Sequence, residues 1–442
     1  MKALLISTYD LGHQPFGLAS PAAWLRARGH DVVCADLSRS PLPRDAVRAA
    51  DLVAFHLPMH TATRLALPVA AAVRALNPAA RLCGYGLYAP MNEALLRANG
   101  FESILGGEFE KELADLADGA AGGSFVSLDR LRFLTPDRTA LPPLSRYAGL
   151  LWNGERRVVG YTEASRGCKH LCRHCPIVPV YKGVFRVVQR DVVLEDIRRQ
   201  VAAGAQHITF GDPDFFNGVG HAMDLVEALH EEHPSVTYDA VVKIEHLLQH
   251  AKHLPRLVST GCLFVTSAVE SVDDDILERL LKGHTRSDFV EAVRLTREVG
   301  LTLAPTFVAF TPWTTREGYN DLLRTVAELG LVENVSPIQF AIRLLIPQGS
   351  ALLDLEEVRS LVGPFEPEAI SYPWKHPDPE MDRLCRGLQE LIKVEERAGS
   401  SRRAIFAKIA PDLELPAGAA IPHMTEPWYC CAEPTEDQVA LL

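Results

Sequence analysis

The sequence predicts an α/β protein: an N-terminal doubly wound parallel sheet, then a six-stranded partial (β/α)6 barrel, then a helical C-terminal extension ending in a cysteine pair. Three observations predict it. Short apolar runs alternate with amphipathic stretches from the first residues, the pattern of buried parallel strands joined by crossover helices. The alternation pauses in a Gly-, Ser- and Pro-rich stretch and restarts near residue 160 in longer units. Just past the first strand of the restarted series, three cysteines fall within eight residues.

In the first unit, KALLIST (2–8), HDVVCADL (30–37), ADLVAFHL (50–57) and ARLCGYGL (80–87) read as strands. PAAWLRARG (21–29), LALPVAAAVRALNP (65–78) and MNEALLRANG (91–100) read as the helices between them. FESILGG (101–107) and the helix 108–118 complete the sheet, which gives a first domain over 1–122 and a linker over 123–155. In the second unit, strands are expected at 160–165, 207–212, 236–244, 263–271, 301–310 and 337–346, with helices at 192–204, 220–232 and 286–300. Six such β/α units favour a partial barrel over 156–372, where chemistry gathers at the carboxyl ends of the strands. A helix at 380–399 and the irregular segment 421–442 form the extension, 373–442.

The chain of 442 residues is long enough for two or three domains, and 47% hydrophobic with 23% charged residues is a globular composition. Its formal net charge of −11 argues against a nucleic-acid partner. No stretch approaches the roughly 18 apolar residues of a membrane helix, and the first residues lead straight into a strand, so the expectation is a cytoplasmic enzyme. Nine cysteines, an odd and clustered number, suit metal ligation in a reducing compartment better than disulfides. Cys34, Cys83, Cys262 and Cys385 sit in strand or helix patterns as small core residues.

Cys168, Cys172 and Cys175 form C-x3-C-x2-C on the loop after the first barrel strand. Structural zinc asks for four protein ligands, which His170 and His174 would have to help supply. Three thiolates alone suit a four-iron four-sulfur cluster that keeps one iron open to another molecule.

This motif resembles the radical S-adenosylmethionine (radical SAM) superfamily, in which SAM chelates the open iron, and the resemblance spans roughly 160–350. HITFGDPDFFNG (207–218) is similar to the segment that meets the SAM amino group, which implies that role for Asp212 and Asp214. VTSAVESVDDDILERLLKGHT (265–285) resembles the fourth-strand segment of the cobalamin-associated branch and implies Glu270 and Ser271 near the SAM ribose. VSPIQFAIRLLIPQGS (335–350) implies Gln339 and Arg343 facing the cosubstrate. The family also implies an external electron donor, such as flavodoxin or ferredoxin, and a small-molecule substrate.

The N-terminal unit resembles the cobalamin-binding domain that precedes many such barrels, and ILGGEFEKEL (104–113) is like that branch's Gly-Glu segment. The axial-histidine motif D-x-H-x-x-G is out of register in YDLGHQPFG (9–17), so His13 as a cobalt neighbour stands beside a vestigial domain without cofactor. EPWYCCAEP (426–434) resembles the tail of CUAEP/CCAEP-tail radical SAM proteins, and the architecture is similar to the organoarsenical branch. That likeness implies arsenite held by Cys430 and Cys431, with His423 as a third donor, and transfer of the 3-amino-3-carboxypropyl group of SAM to arsenic. The alternatives are a cobalamin-dependent radical methyltransferase acting on a natural-product precursor, a tail pair buried under the barrel mouth, and a cluster-bearing redox sensor without turnover.

Overall fold

The computed structural model describes residues 1–416, 418 and 420–426; Cys430 and Cys431 lie outside the described residues. Two sheets organise the chain. The first contains β1 (Lys2–Ser7), β2 (Asp31–Asp36), β3 (Leu52–His56), β4 (Arg81–Tyr85), β5 (Ser103–Gly107) and β6 (Ser124–Ser127), all parallel in the order β2-β1-β3-β4-β5-β6. Alternate residues of β1 enter two different cores, Leu4 and Ile6 on one face and Ala3 and Leu5 on the other. That two-sided burial is what makes these strands read as continuous apolar runs. Helices Phe16–Ala27 and His60–Leu76 begin earlier than their periodicity suggests, because Pro21 and Pro68 lie inside them rather than at their starts.

The second sheet runs β14-β13-β12-β11-β8-β7-β15. Its strands are β7 (Gly149–Trp152), β8 (Glu155–Thr162), β11 (His207–Phe210), β12 (Thr237–Val241), β13 (Cys262–Glu270), β14 (Thr302–Phe307) and β15 (His423–Met424). A small antiparallel pair, β9 (Ser165–Gly167) and β10 (Phe185–Val187), brackets the cysteine loop. From β8 to β14 the strands are parallel, curling into the partial barrel. The sixth position is filled by a single bridge, Phe310 to Arg343, after a 3-10 turn at Pro337–Phe340. Proline at the head of that turn has no N–H for a ladder, so the expected long strand at 337–346 shrinks to one contact.

The segment 123–155 is more structured than its Gly and Pro content suggests. It adds β6 to the edge of the first sheet and β7 to the second, and an Asn153-Gly154 turn with positive φ at both residues closes the β7–β8 hairpin. Helix Arg286–Glu298 carries a full capping box, Thr285 with Asp288. Among the described residues no helix is long and apolar enough to cross a membrane.

Candidate functional site

The carboxyl ends of both sets of strands face one cavity of about 380 Å³. Cys168, Cys172 and Cys175 line it, and none of the three is in a disulfide. Their loop is shaped by Gly167, at φ +73, where a Cβ would stand 2.5 Å from the Val184 carbonyl oxygen. A turn from the Cys172 carbonyl to the Cys175 N–H, 3.1 Å, brings the second and third thiols onto the same bend. Burial pushes the Cys168 thiol upward, the cost of keeping an unliganded thiolate out of water.

The two loop histidines are spoken for by carboxylates from neighbouring strand ends. His174 Nε2 lies 3.1 Å from Glu270, which also meets Lys282 at 3.3 Å. Burial alone would raise Glu270, but the Lys282 charge and the His174 hydrogen bond outweigh it and bring it to about 2. His170 lies between Asp214 at 3.4 Å and Glu245 at 3.5 Å. Asp214 takes its closer contact from His246 Nδ1 at 2.6 Å. Burial would raise Asp214 too, and the hydrogen bonds of His170 and His246 hold it near 2. Cys168, His170 and Asp214 could bring ligand atoms within 4.8 Å of one another, but His174 is turned away to Glu270, so a four-ligand zinc site using both histidines is not assembled. Three thiols on one open-sided loop are the donor set of a cluster with a free iron, and the chain fits it.

The remaining expected residues divide. Asp212 lines the cavity but fastens the strand leading to the cysteine loop, accepting from Ala164 N at 2.9 Å and Ser165 Oγ at 2.6 Å. Burial raises it to about 7 in spite of those bonds. Gln339 also lines the cavity, where its Oε1 accepts from Phe307 N at 2.9 Å. His13 enters from the loop after β1 and packs against Tyr161 at a tilt of 34°, with centroids 4.7 Å apart. Burial lowers its pKa to about 4.

Ser271 and Arg343 are not among the residues that line the cavity. Ser271 Oγ instead accepts from Asp273 N at 3.1 Å, in the turn that leads to helix Asp274–Arg279. Arg343 pairs with Asp382 at 2.6 Å and lies 3.5 Å over the Trp374 ring. His423 and Met424, in β15, line the cavity together with Glu426.

Sequence reasoning missed the ties between the halves. Arg166, two residues before Cys168, meets Glu108 at 3.3 Å, Glu110 at 2.6 Å and Glu163 at 2.7 Å. It also missed His56 at the end of β3, 7% exposed, whose Nδ1 has no hydrogen-bond partner among the described residues. Burial lowers this imidazole to about 3, and a buried polar atom without a partner costs about 1–3 kcal/mol unless a ligand meets it. The ring fits because Gly17 has no side chain: a Cβ there would stand 2.1 Å from His56 Cε1.

A thiol-lined cavity where a doubly wound sheet meets a curled partial barrel defines an α/β protein with the donor set of an iron–sulfur cluster. Residues 162–327 match the model of the radical SAM superfamily. This stretch is thus a radical SAM domain, whose cofactors are a four-iron four-sulfur cluster and SAM, and it marks the chain as an enzyme.

Among curated proteins, the hopanoid C-3 methylase of Methylococcus capsulatus is 26% identical over 174 residues, 39% of this chain and 33% of that protein. A tRNA-2-methylthio-N(6)-dimethylallyladenosine synthase of Chlorobium luteolum is 26% identical over 254 residues, 53% of this chain and 52% of the relative. The bacteriochlorophyllide d C-12(1)-methyltransferase of Chlorobaculum tepidum is 26% identical over 199 residues, covering 43% and 42%. The chain thus spans from a third to about half the length of these relatives.

Two solved structures share the fold. The cobalamin-dependent radical SAM enzyme OxsB aligns with TM-score 0.69 at 14% identity, over 90% of this chain and 67% of that one. The radical SAM methyltransferase TsrM of Kitasatospora setae aligns at 0.60 and 18%, over 74% and 71%.

Proposed function

We propose that the chain is a cobalamin-dependent radical SAM enzyme that transfers a methyl group to a small molecule held in the barrel. The observation that carries this reading is the continuity of the cavity: it runs from the three cysteines to the loops after β1, β3, β4 and β5, the switch-point edge where doubly wound sheets receive ligands. Cobalamin would lie against that edge, facing His13, His56, Gly86 and Gly107, and the unpartnered His56 nitrogen suits a cofactor rich in amide groups. When bound, the cluster and SAM supply a carbon radical and cobalamin an alkyl carrier.

The chain's own residues do the rest. Asp212 and Gly167 shape the cysteine loop, Glu270 and Lys282 keep fixed charges beside it, and the surrounding barrel wall shields the cavity from bulk water. Likeness to TsrM, the hopanoid methylase and the bacteriochlorophyllide methyltransferase supports methyl transfer, and likeness to OxsB supports cobalamin dependence. The tRNA-modifying relatives point to nucleic acid, which the net charge of −11 disfavours. Flavodoxin or ferredoxin in the cytoplasm would supply the electron.

A second reading has its own observation. His423, Met424 and Glu426 line the cavity, so the described chain reaches the cavity wall shortly before Cys430 and Cys431. That supports a soft acceptor, arsenite, bound by the tail thiols and alkylated with the 3-amino-3-carboxypropyl group of SAM.

One experiment separates the two: mass spectrometry of products from reduced, reconstituted protein with SAM, with and without hydroxocobalamin and arsenite. Deoxyadenosine and S-adenosylhomocysteine appearing only with cobalamin support the first reading. Methylthioadenosine with a carboxypropyl-arsenic product replaces it with the second.

A further inference from the structure

The barrel interior carries a feature that bears on the charge of the acceptor. Tyr161, Thr209, Asp239 and Phe264 are successive cross-strand neighbours on β8, β11, β12 and β13. All four face the cavity, forming one layer of the barrel interior. Asp239 is 5% exposed, and its Oδ1 meets His207 Nε2 at 2.9 Å and accepts from Thr209 Oγ1 at 2.6 Å. Its Oδ2 has no partner among the described residues. One layer up, Thr266 is 8% exposed and lines the same cavity, and its hydroxyl likewise has no partner among the described residues.

Among the described residues Asp239 pairs with the His207 imidazole, which lies outside the cavity lining, and no lysine or arginine of the cavity wall answers it. Arg166 is held by three glutamates, Lys243 by Glu245, Lys282 by Glu270, and Arg402 donates to the Glu333 carbonyl. His13, packed against Tyr161, is kept neutral by burial. Asp10 and Glu426 add carboxyl groups to this wall, also without a lysine or arginine partner among the described residues. A buried carboxylate whose second oxygen is left open is costly, and a ligand that brings a positive charge to that oxygen recovers part of the cost on binding.

We propose that this layer anchors a cationic amine of the substrate, an ammonium received by Asp239 Oδ2 and the Thr266 hydroxyl between the rings of Tyr161 and Phe264. The aromatic faces add attraction for a cation that they do not offer a neutral group. This assignment deepens the reading of a small-molecule acceptor in the barrel and rests on it for the site's role, but binding at the anchor is measurable without turnover. A neutral acceptor such as arsenous acid would leave Asp239 with the His207 imidazole alone and bring no charge to Oδ2.

The test is calorimetric binding of phenethylamine and of 2-phenylethanol, its neutral counterpart, to full-length, cluster-reconstituted protein with SAM present. The amine is expected to bind roughly tenfold or more tightly than the alcohol, the range of a charge-assisted hydrogen bond. Asp239→Asn should erase that preference while iron content and SAM affinity hold. Thr266→Val, which leaves the Asp239 contacts in place, should weaken the amine several-fold, and it decides the matter if Asp239→Asn loses iron. An amine that binds no tighter than the alcohol, including no binding by either, overturns the assignment. So does an Asn variant that retains the preference. Because no product is measured, failure of methyl transfer leaves this result standing, and failure here leaves the transfer reaction open to its own assay.

Discussion

Arg166 Nη2 stands 2.6 Å from Glu110 Oε1, tying the strand that runs into the cysteine loop to the helix that follows β5 of the first sheet. Both side chains are nearly inaccessible, at 7% and 0% exposure. The guanidinium also lies 5.3 Å from the Phe109 ring centroid and 5.0 Å from that of Phe133. Replacing Arg166 with Met removes the cation that pairs with Glu108, Glu110 and Glu163, the first two of them fully buried, and is expected to cost about 3–5 kcal/mol by thermal or urea unfolding. Arg166→Lys should recover only part of that, since one ammonium cannot reproduce a forked, ring-stacked contact.

The three cysteines act as a set. Cys168→Ala, Cys172→Ala and Cys175→Ala together are expected to abolish bound iron and the cluster's visible absorption after anaerobic reconstitution, while far-ultraviolet circular dichroism stays unchanged. Stoichiometric iron in the triple variant would show that the metal is held elsewhere.

Glu108 gives the fold a pH dependence of definite sign. Burial raises it from 4.5 to about 7, only partly offset by the Arg166 charge. The folded form therefore holds a proton that the unfolded chain releases at lower pH. Its contribution to stability is full below about pH 4.5 and is lost as pH rises through about 7, a change on the order of 3 kcal/mol. Glu108→Gln should flatten that segment of the stability profile, measured by urea midpoints between pH 4.5 and 8.

Gly107 is fixed by its surroundings. It sits at φ +68, and a Cβ would fall 2.0 Å from the Ser127 carbonyl oxygen. Gly107→Ala is expected to lower stability by about 1–3 kcal/mol and to loosen β6, visible as faster amide exchange over 124–127. An unchanged exchange rate there would mean that β6 does not depend on this turn.

Much of this was legible beforehand, for physical reasons. The continuous apolar runs that became β1, β3 and β4 are what two-sided burial demands, and the cysteine spacing announced its chemistry without any fold. Asn153-Gly154 was a hairpin signal in plain view, masked by the glycines and prolines around it. The edge strand β6 was not legible, since SFVS has no strong pattern and is a strand only because β5 lies beside it. A continuous strand over 337–346 would put Gln339 and Arg343 on one face, but the 3-10 turn breaks the two-residue alternation, leaving Gln339 at the cavity and Arg343 over Trp374. Ser271 was displaced because Glu270, at φ +70, reverses the chain at the end of β13. The Asp239 layer depends on register across four strands, which no local pattern encodes.

The last described strand, β15, is only a seam. It joins β7 over two residues, with Thr425 exchanging bonds with Gly149 and Glu426 meeting Tyr9 Oη at 2.5 Å. So short a stitch unpicks at a free energy far below that of the whole fold. The strip 423–426 therefore closes one side of the cavity with few bonds, and amide exchange at 423–425 reads how often that side parts without either sheet coming apart.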